Sequence, residues 1–133
     1  MDSKTTIKEL KSAIARFIKD RDWEKYHSPK NLSMSIAIES AELMEMFQWL
    51  GIEESQKILK NKKKRQEVQD ELADIAVYLI DFCNLFDIDL STAILKKMQK
   101  NAKKYPVKLA KGRADKYTHY ERGRGTISRS VSK

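Results

Sequence analysis

The sequence predicts an all-α fold: a bundle of four or five helices followed by a basic C-terminal tail. Three observations lead there. Apolar residues recur at helical spacing almost from end to end, and no stretch alternates as a half-buried strand would. Glycine and proline are scarce, four and two in 133 residues. Capping residues stand where the apolar pattern breaks. The length suits one domain, over residues 1–120, with 121–133 as the tail.

The first helix is expected from about Thr6 to Arg21, with Ile7, Leu10, Ile14, Phe17 and Ile18 on one side. "DRDWEKYHSPKN" then breaks the pattern. Ser28-Pro29 restarts it, Ser as N-cap and Pro at the first position. The second helix is expected from about Pro29 to Leu50, stopped by Gly51. "IEESQKILKNKKKR" reads as a short, charged connection with helical character. A long helix follows from about Lys64 to Phe86. Asp89 caps the last helix, which runs to about Lys104 and ends before Pro106.

No apolar run approaches the roughly 18 residues of a membrane span. The N-terminus lacks a signal peptide's apolar core. The single cysteine, Cys83, lies in the apolar run "ADIAVYLIDFCNLF" and reads as a small core residue. Together these favour a cytoplasmic protein. The formal charge is +8, and from Val107 onward eight Lys or Arg stand against two acids. The excess belongs to the tail, not to a folded basic face. A basic tail can touch nucleic acid or acidic lipid. A solvated, disordered end explains it more simply, since "ERGRGTISRSVSK" has little to bury.

The segment "IESAELMEMFQWL", Ile38 to Leu50, is strongly apolar yet carries Glu39, Glu42 and Glu45. On a wheel at 100° per residue, Glu39 shares its direction with Leu32, Leu43, Met46 and Leu50. Glu42 sits beside it at the stripe's edge, and Glu45 turns outward. The long helix repeats the arrangement: Glu71 falls in line with Ile75, Tyr78 and Phe82, and Asp74 lies at the edge. If the two stripes face each other, four carboxylates meet. Ordinary surface acids account for Glu45, Glu53, Glu54 and Glu67, but not for these pairs. An unpaired carboxylate on a core-facing stripe costs several kcal/mol of desolvation. Like charges about 5 Å apart add about 3 kcal/mol at an effective dielectric near 20. A bound cation removes both costs. Oxygen-only ligands suit Mg²⁺ or Mn²⁺, and the absence of His and Cys argues against zinc. Di-iron bundles use Glu-x-x-His, where this chain has Asp74.

On the last helix, Lys97, Asn101 and Lys104 share a face. They suit phosphate oxygens, or they form a solvated lysine-rich helix end favoured by the dipole. Trp23 in the first loop and Trp49 on the second helix can stack on a base or pack in a core. His27 can touch a substrate or fix its turn. Met34, Ala37, Ala41 and Met44 form a second apolar side of the second helix, which favours a homo-oligomer.

Several segments, in this order, resemble the all-α MazG-like nucleotide pyrophosphohydrolases, with the dCTP pyrophosphatases the most similar branch. They are "DRDW" at 20–23, "HSPKNL" at 27–32, "IESAELMEMFQW" at 38–49, "DELADIAVYLI" at 70–80, "KKMQKNAKKYP" at 96–106 and "KYT" at 116–118. The resemblance spans about residues 5–120. It implies Mg²⁺-dependent cleavage of a nucleoside triphosphate, dCTP or a related pyrimidine dNTP, between the α and β phosphates. The products are a monophosphate and pyrophosphate, in nucleotide-pool house-cleaning. Position by position, it implies that Glu39, Glu42, Glu71 and Asp74 hold the metal. Trp23 and Trp49 would pack on the base with Tyr78 nearby, and Lys97 and Asn101 would contact phosphate or sugar. It points to a homodimer or homotetramer. One departure stands out: dCTP-preferring members carry a His from the first helix near the base, where this chain has Ile14. Two rivals remain. One is a hydrolase of this fold with another nucleotide as substrate. The other is a non-enzymatic helical module that binds nucleic acid through its tail, which leaves the paired acids unexplained.

Overall fold

The structure is a computed structural model that describes residues 3–118 and 120. Among these residues it is all-helical, as the periodicity predicts. The helices are α1 (Ile7–Lys19), α2 (Pro29–Glu45), α3 (Ile52–Lys57), α4 (Lys62–Leu85), α5 (Leu90–Lys104) and α6 (Val107–Ala110). Single 3₁₀ turns stand at Glu24–Tyr26 and Ile58–Lys60. The expected tail, 121–133, lies outside the described residues.

The chain divides into two compact units, one to Leu90 and one from Ser91. In the first, α4 is the hub, with α1 and α2 both packed against it. Ile18, Leu32, Val68, Ile80 and Cys83 are its buried apolar side chains, and Leu32 is the deepest at 1% exposed. The stripe logic therefore holds: Leu32, on the stripe shared with Glu39, is driven inward by its apolar surface.

The caps follow local chemistry. The Thr6 hydroxyl accepts from the Glu9 N–H at 3.2 Å, and the Glu9 carboxylate accepts from the Thr6 N–H at 2.7 Å. This reciprocal pair satisfies two orphan donors. The Ser28 hydroxyl accepts from the Asn31 N–H at 3.1 Å, and Pro29 opens α2. The Asn61 side chain accepts from the N–H groups of Lys63 and Lys64 and opens α4. After α1 and α4 the chain turns through a left-handed residue, Asp22 (φ 52°) and Asp87 (φ 49°). In each case the next N–H reaches back into the helix, Trp23 to the Ile18 carbonyl at 3.2 Å and Ile88 to the Cys83 carbonyl at 2.9 Å. Two further bonds fasten α1 to the end of α4: Lys11 Nζ donates to the Ile88 carbonyl at 3.0 Å, and Asn84 Nδ2 to the Lys11 carbonyl at 2.9 Å.

One boundary differs from expectation. α2 stops at Glu45, not at Gly51. Beyond it the backbone bonds mix three- and four-residue spans: Phe47 and Gln48 N–H both reach the Met44 carbonyl, and Leu50 N–H reaches that of Phe47. Trp49 therefore lies beyond the end of α2, not on it.

In the second unit, Tyr105 meets Tyr117 and Tyr120 edge-on, with ring centroids 6.0 and 6.3 Å apart. Lys104 stands over the Tyr117 ring and Arg113 over that of Tyr120. The "KYT" segment is thus tied by aromatic packing to the end of α5.

Candidate active site

α2 and α4 bring three of the four predicted acids together. Carboxylate oxygens of Glu39, Glu42 and Glu71 all lie within 4.8 Å of one another. Glu39 and Glu71 are half-buried, and Glu42 is exposed. Desolvation raises the Glu39 carboxyl above its usual range, and the charges of Glu42, Asp74 and Glu71 push it further. Glu71 is raised in the same way, by desolvation first and then by Glu42, Asp74 and Asp70. Asp74 is outside the converging three, yet its charge acts on both raised acids.

Asp74 also lines a cavity of about 470 Å³ in the same unit. α1 supplies Ala13, Ile14, Phe17 and Ile18 to its wall; the loop supplies Trp23 and His27; α4 supplies Asp74, Val77 and Tyr78. The left-handed turn at Asp22 folds Trp23 back onto α1, where its ring meets Phe17 edge-on at 5.9 Å. The Arg21 guanidinium covers the Phe17 ring at 3.6 Å. The cavity is mostly apolar, with aromatic side chains and a few polar groups in its wall, which suits a heterocyclic base.

The other predicted residues are placed as follows. Trp23 and Tyr78 are in the cavity wall. Trp49 is not: it is 87% exposed, because α2 has already ended. Lys97 and Asn101 are in the second unit, one turn apart on α5. Sequence reasoning missed Asp81. It is the one buried charged residue among those described, at 2% exposed, and it accepts from His27 Nδ1–H at 2.6 Å. The signal was available: an acid in the middle of the apolar run "YLIDFC".

An ion fits the acid cluster by its chemistry. The cluster offers oxygen donors alone; burial first and then like-charge repulsion raise Glu39 and Glu71, and a cation would cancel the repulsion.

The MazG-like family model matches residues 34–119, a span that holds the acid cluster, Asp81 and the α5 residues. The chain belongs to the MazG-like family. The resemblance seen in the sequence is thereby met. Among MazG-like relatives, dCTP pyrophosphatase 1 of Bos taurus is 38% identical over 121 residues, 91% of this chain and 72% of that protein. The Homo sapiens dCTP pyrophosphatase 1 is 35% identical over 118 residues, 89% of this chain and 69% of that protein. A crystal structure of a pyrophosphatase from Archaeoglobus fulgidus shares 42% identity with a TM-score of 0.70, covering 74% of this chain and 91% of that one. The expected all-α MazG-like fold therefore stands. No helix among the described residues is long and apolar enough to cross a membrane.

Proposed function

We propose that the chain is a pyrophosphohydrolase that converts a pyrimidine deoxynucleoside triphosphate, dCTP first among them, to the monophosphate and pyrophosphate. It would act on the cytoplasmic nucleotide pool. The observation that carries this is the juxtaposition of three converging carboxylates and an aromatic cavity, with Asp74 common to both surroundings. One part suits a cation that meets phosphates and the other a base.

Glu39, Glu42 and Glu71 would hold Mg²⁺, or Mn²⁺ in its place, with Asp74 beside them. The ion, when bound, supplies neutralisation of charge on the triphosphate oxygens. The chain's own groups do the rest. Phe17, Trp23 and Tyr78 hold the base and so fix where the triphosphate emerges. A carboxylate of the cluster takes a proton from the attacking water, whose oxygen bonds to phosphorus as pyrophosphate leaves. Lys97 and Asn101 are proposed phosphate or sugar contacts.

A homodimer or homotetramer is part of the proposal. Met34, Ala37, Ala41 and Met44 are all exposed on α2, away from the stripe that holds Glu39. A second chain would cover them.

The test is product analysis. Purified protein is incubated with dCTP, dUTP, dATP or CTP, in Mg²⁺ or in EDTA. Monophosphate and pyrophosphate should form only with Mg²⁺, fastest from dCTP. Glu39→Ala and Glu71→Ala should lose turnover by about three orders of magnitude with helicity intact. Wild-type rates in either variant would remove the cluster from the mechanism.

A further inference from the structure

The cavity wall contains one polar contact that nothing above uses. His27 lies between the Glu24–Tyr26 turn and the Ser28 cap of α2, and it is one of the residues that line the cavity. Its Nδ1 is bonded at 2.6 Å to Asp81 of α4, 54 positions further along the chain. Only 3% of the Asp81 side chain and 14% of the His27 side chain are exposed. Burying such a pair is costly compared with packing two apolar groups in the same space. The turn does not need it for closure: the Ser28 hydroxyl already caps α2, and Asn31 Nδ2 already ties the turn by donating to the Tyr26 carbonyl at 2.8 Å.

What the pair does is set the ring. A carboxylate only accepts, so the neutral ring carries its hydrogen on Nδ1 and leaves Nε2 as an acceptor. Of the other polar groups in the wall, the Trp23 indole N–H only donates and the Tyr78 hydroxyl can turn to donate or accept, so neither sets a fixed preference for a donor on the base. α1 contributes only apolar side chains, Ala13, Ile14, Phe17 and Ile18. Asp74 is drawn into the electrostatics of the acid cluster. A pyrimidine seated here must match its exocyclic group to a hydrogen-bonding atom or leave it unpaired in an apolar cavity. A ring whose Nδ1–H is held by Asp81 offers an acceptor at Nε2. That pairs with the N–H of an exocyclic amine and is left facing oxygen by an exocyclic carbonyl.

We propose that His27 is the residue that reads the exocyclic group of the base, favouring an aminopyrimidine over an oxopyrimidine, and that Asp81 is the positioning residue that fixes its ring. This rests on the nucleotide pyrophosphohydrolase reading above.

The test compares dCTP with dUTP. For wild type, His27→Phe and Asp81→Leu, kcat and KM are measured for both nucleotides in Mg²⁺. In parallel, ¹⁵N spectra of histidine-labelled protein report the protonated ring nitrogen; His27→Phe assigns the signal against His119. Wild type should favour dCTP and show protonated Nδ1 with unprotonated Nε2 at the assay pH. His27→Phe should lower the dCTP:dUTP ratio of kcat/KM by about tenfold or more, as expected for one lost hydrogen bond in a dry site. Asp81→Leu should lower it too, and should move the proton to Nε2. Circular dichroism separates these effects from unfolding. If Asp81→Leu does not fold, Asp81→Asn replaces it and should give a mixture of the two tautomers.

Turnover with an unchanged ratio in folded His27→Phe would overturn this inference alone. So would a wild-type ring unprotonated at Nδ1, or protonated at both nitrogens. No turnover of any nucleotide by wild type would instead defeat the hydrolase reading and this inference with it.

Discussion

Glu39 and Glu71 keep their protons more tightly in the folded chain than in the unfolded one, through desolvation and then through neighbouring carboxylates. Between the ordinary value of 4.5 and the raised ones, the folded state therefore binds more protons. Unfolding free energy falls as pH rises through that window, and the destabilisation is fully present above it. Removing one charge reverses part of this. In EDTA at pH 7, Glu39→Gln should melt higher than wild type, and the gain should shrink as the pH falls through that window and vanish below 4.5. Adding Mg²⁺ at pH 7 should raise the wild-type melting temperature more than that of the variant. Scanning calorimetry at three pH values checks both. A gain independent of pH would mean that the variant acts through packing, not through relieved repulsion. The acids themselves were legible in the sequence because a carboxylate on an apolar stripe is conspicuous. The Asp81–His27 pair was not, because its partners are 54 positions apart and only the packing of the loop on α4 unites them.

At the scale of the helix, α2 does two things with one stripe: Leu32 is buried as α2 packs on α4, and Glu39 and Glu42 present the cluster. The two are two turns apart, so a shift at Leu32 moves the acids. Leu32 is 1% exposed, and Leu32→Ala should cost about 2–5 kcal/mol, depending on how far the site collapses. Ser28→Ala removes the bond to the Asn31 N–H and should cost about 1 kcal/mol. Urea unfolding followed by circular dichroism measures both, and the two losses should add within about 0.5 kcal/mol if they act independently. The start of α2 was readable because it is a local bargain between a side-chain oxygen and an exposed N–H, Ser28 with Asn31, just ahead of Pro29. The end of α2 was not. The sequence from Glu45 to Leu50 keeps good helix formers, and Gly51 was the only visible stop. The backbone from Met46 mixes three- and four-residue spans, so Trp49 lies beyond the helix that the wheel assumed.

The described residues bury few apolar side chains. Among the described residues, Ile18, Leu32, Val68, Ile80, Cys83 and Tyr120 make up the buried apolar set, while Met34, Ile38, Met44, Leu72 and Leu79 are each more than two-fifths exposed. Folding a chain of this length against its conformational entropy takes a larger dry core. A second copy supplies it most directly, since α2 and α4 would then bury both their faces. The outward stripe was legible in the sequence, as Met34, Ala37, Ala41 and Met44. What lies against it was not, because a single chain's periodicity records that a face is apolar and not what it meets. The proposed dimer or tetramer makes a specific expectation. Light scattering on the eluting peak should give a multiple of 15.5 kDa at micromolar concentration. Met44→Glu places a charge in that face, and in a two-fold interface it does so twice. It should shift the mass toward the monomer and remove the dependence of melting temperature on protein concentration, which mass action requires of an associating fold. A wild-type mass of one chain at those concentrations would show that the stripe is simply solvated.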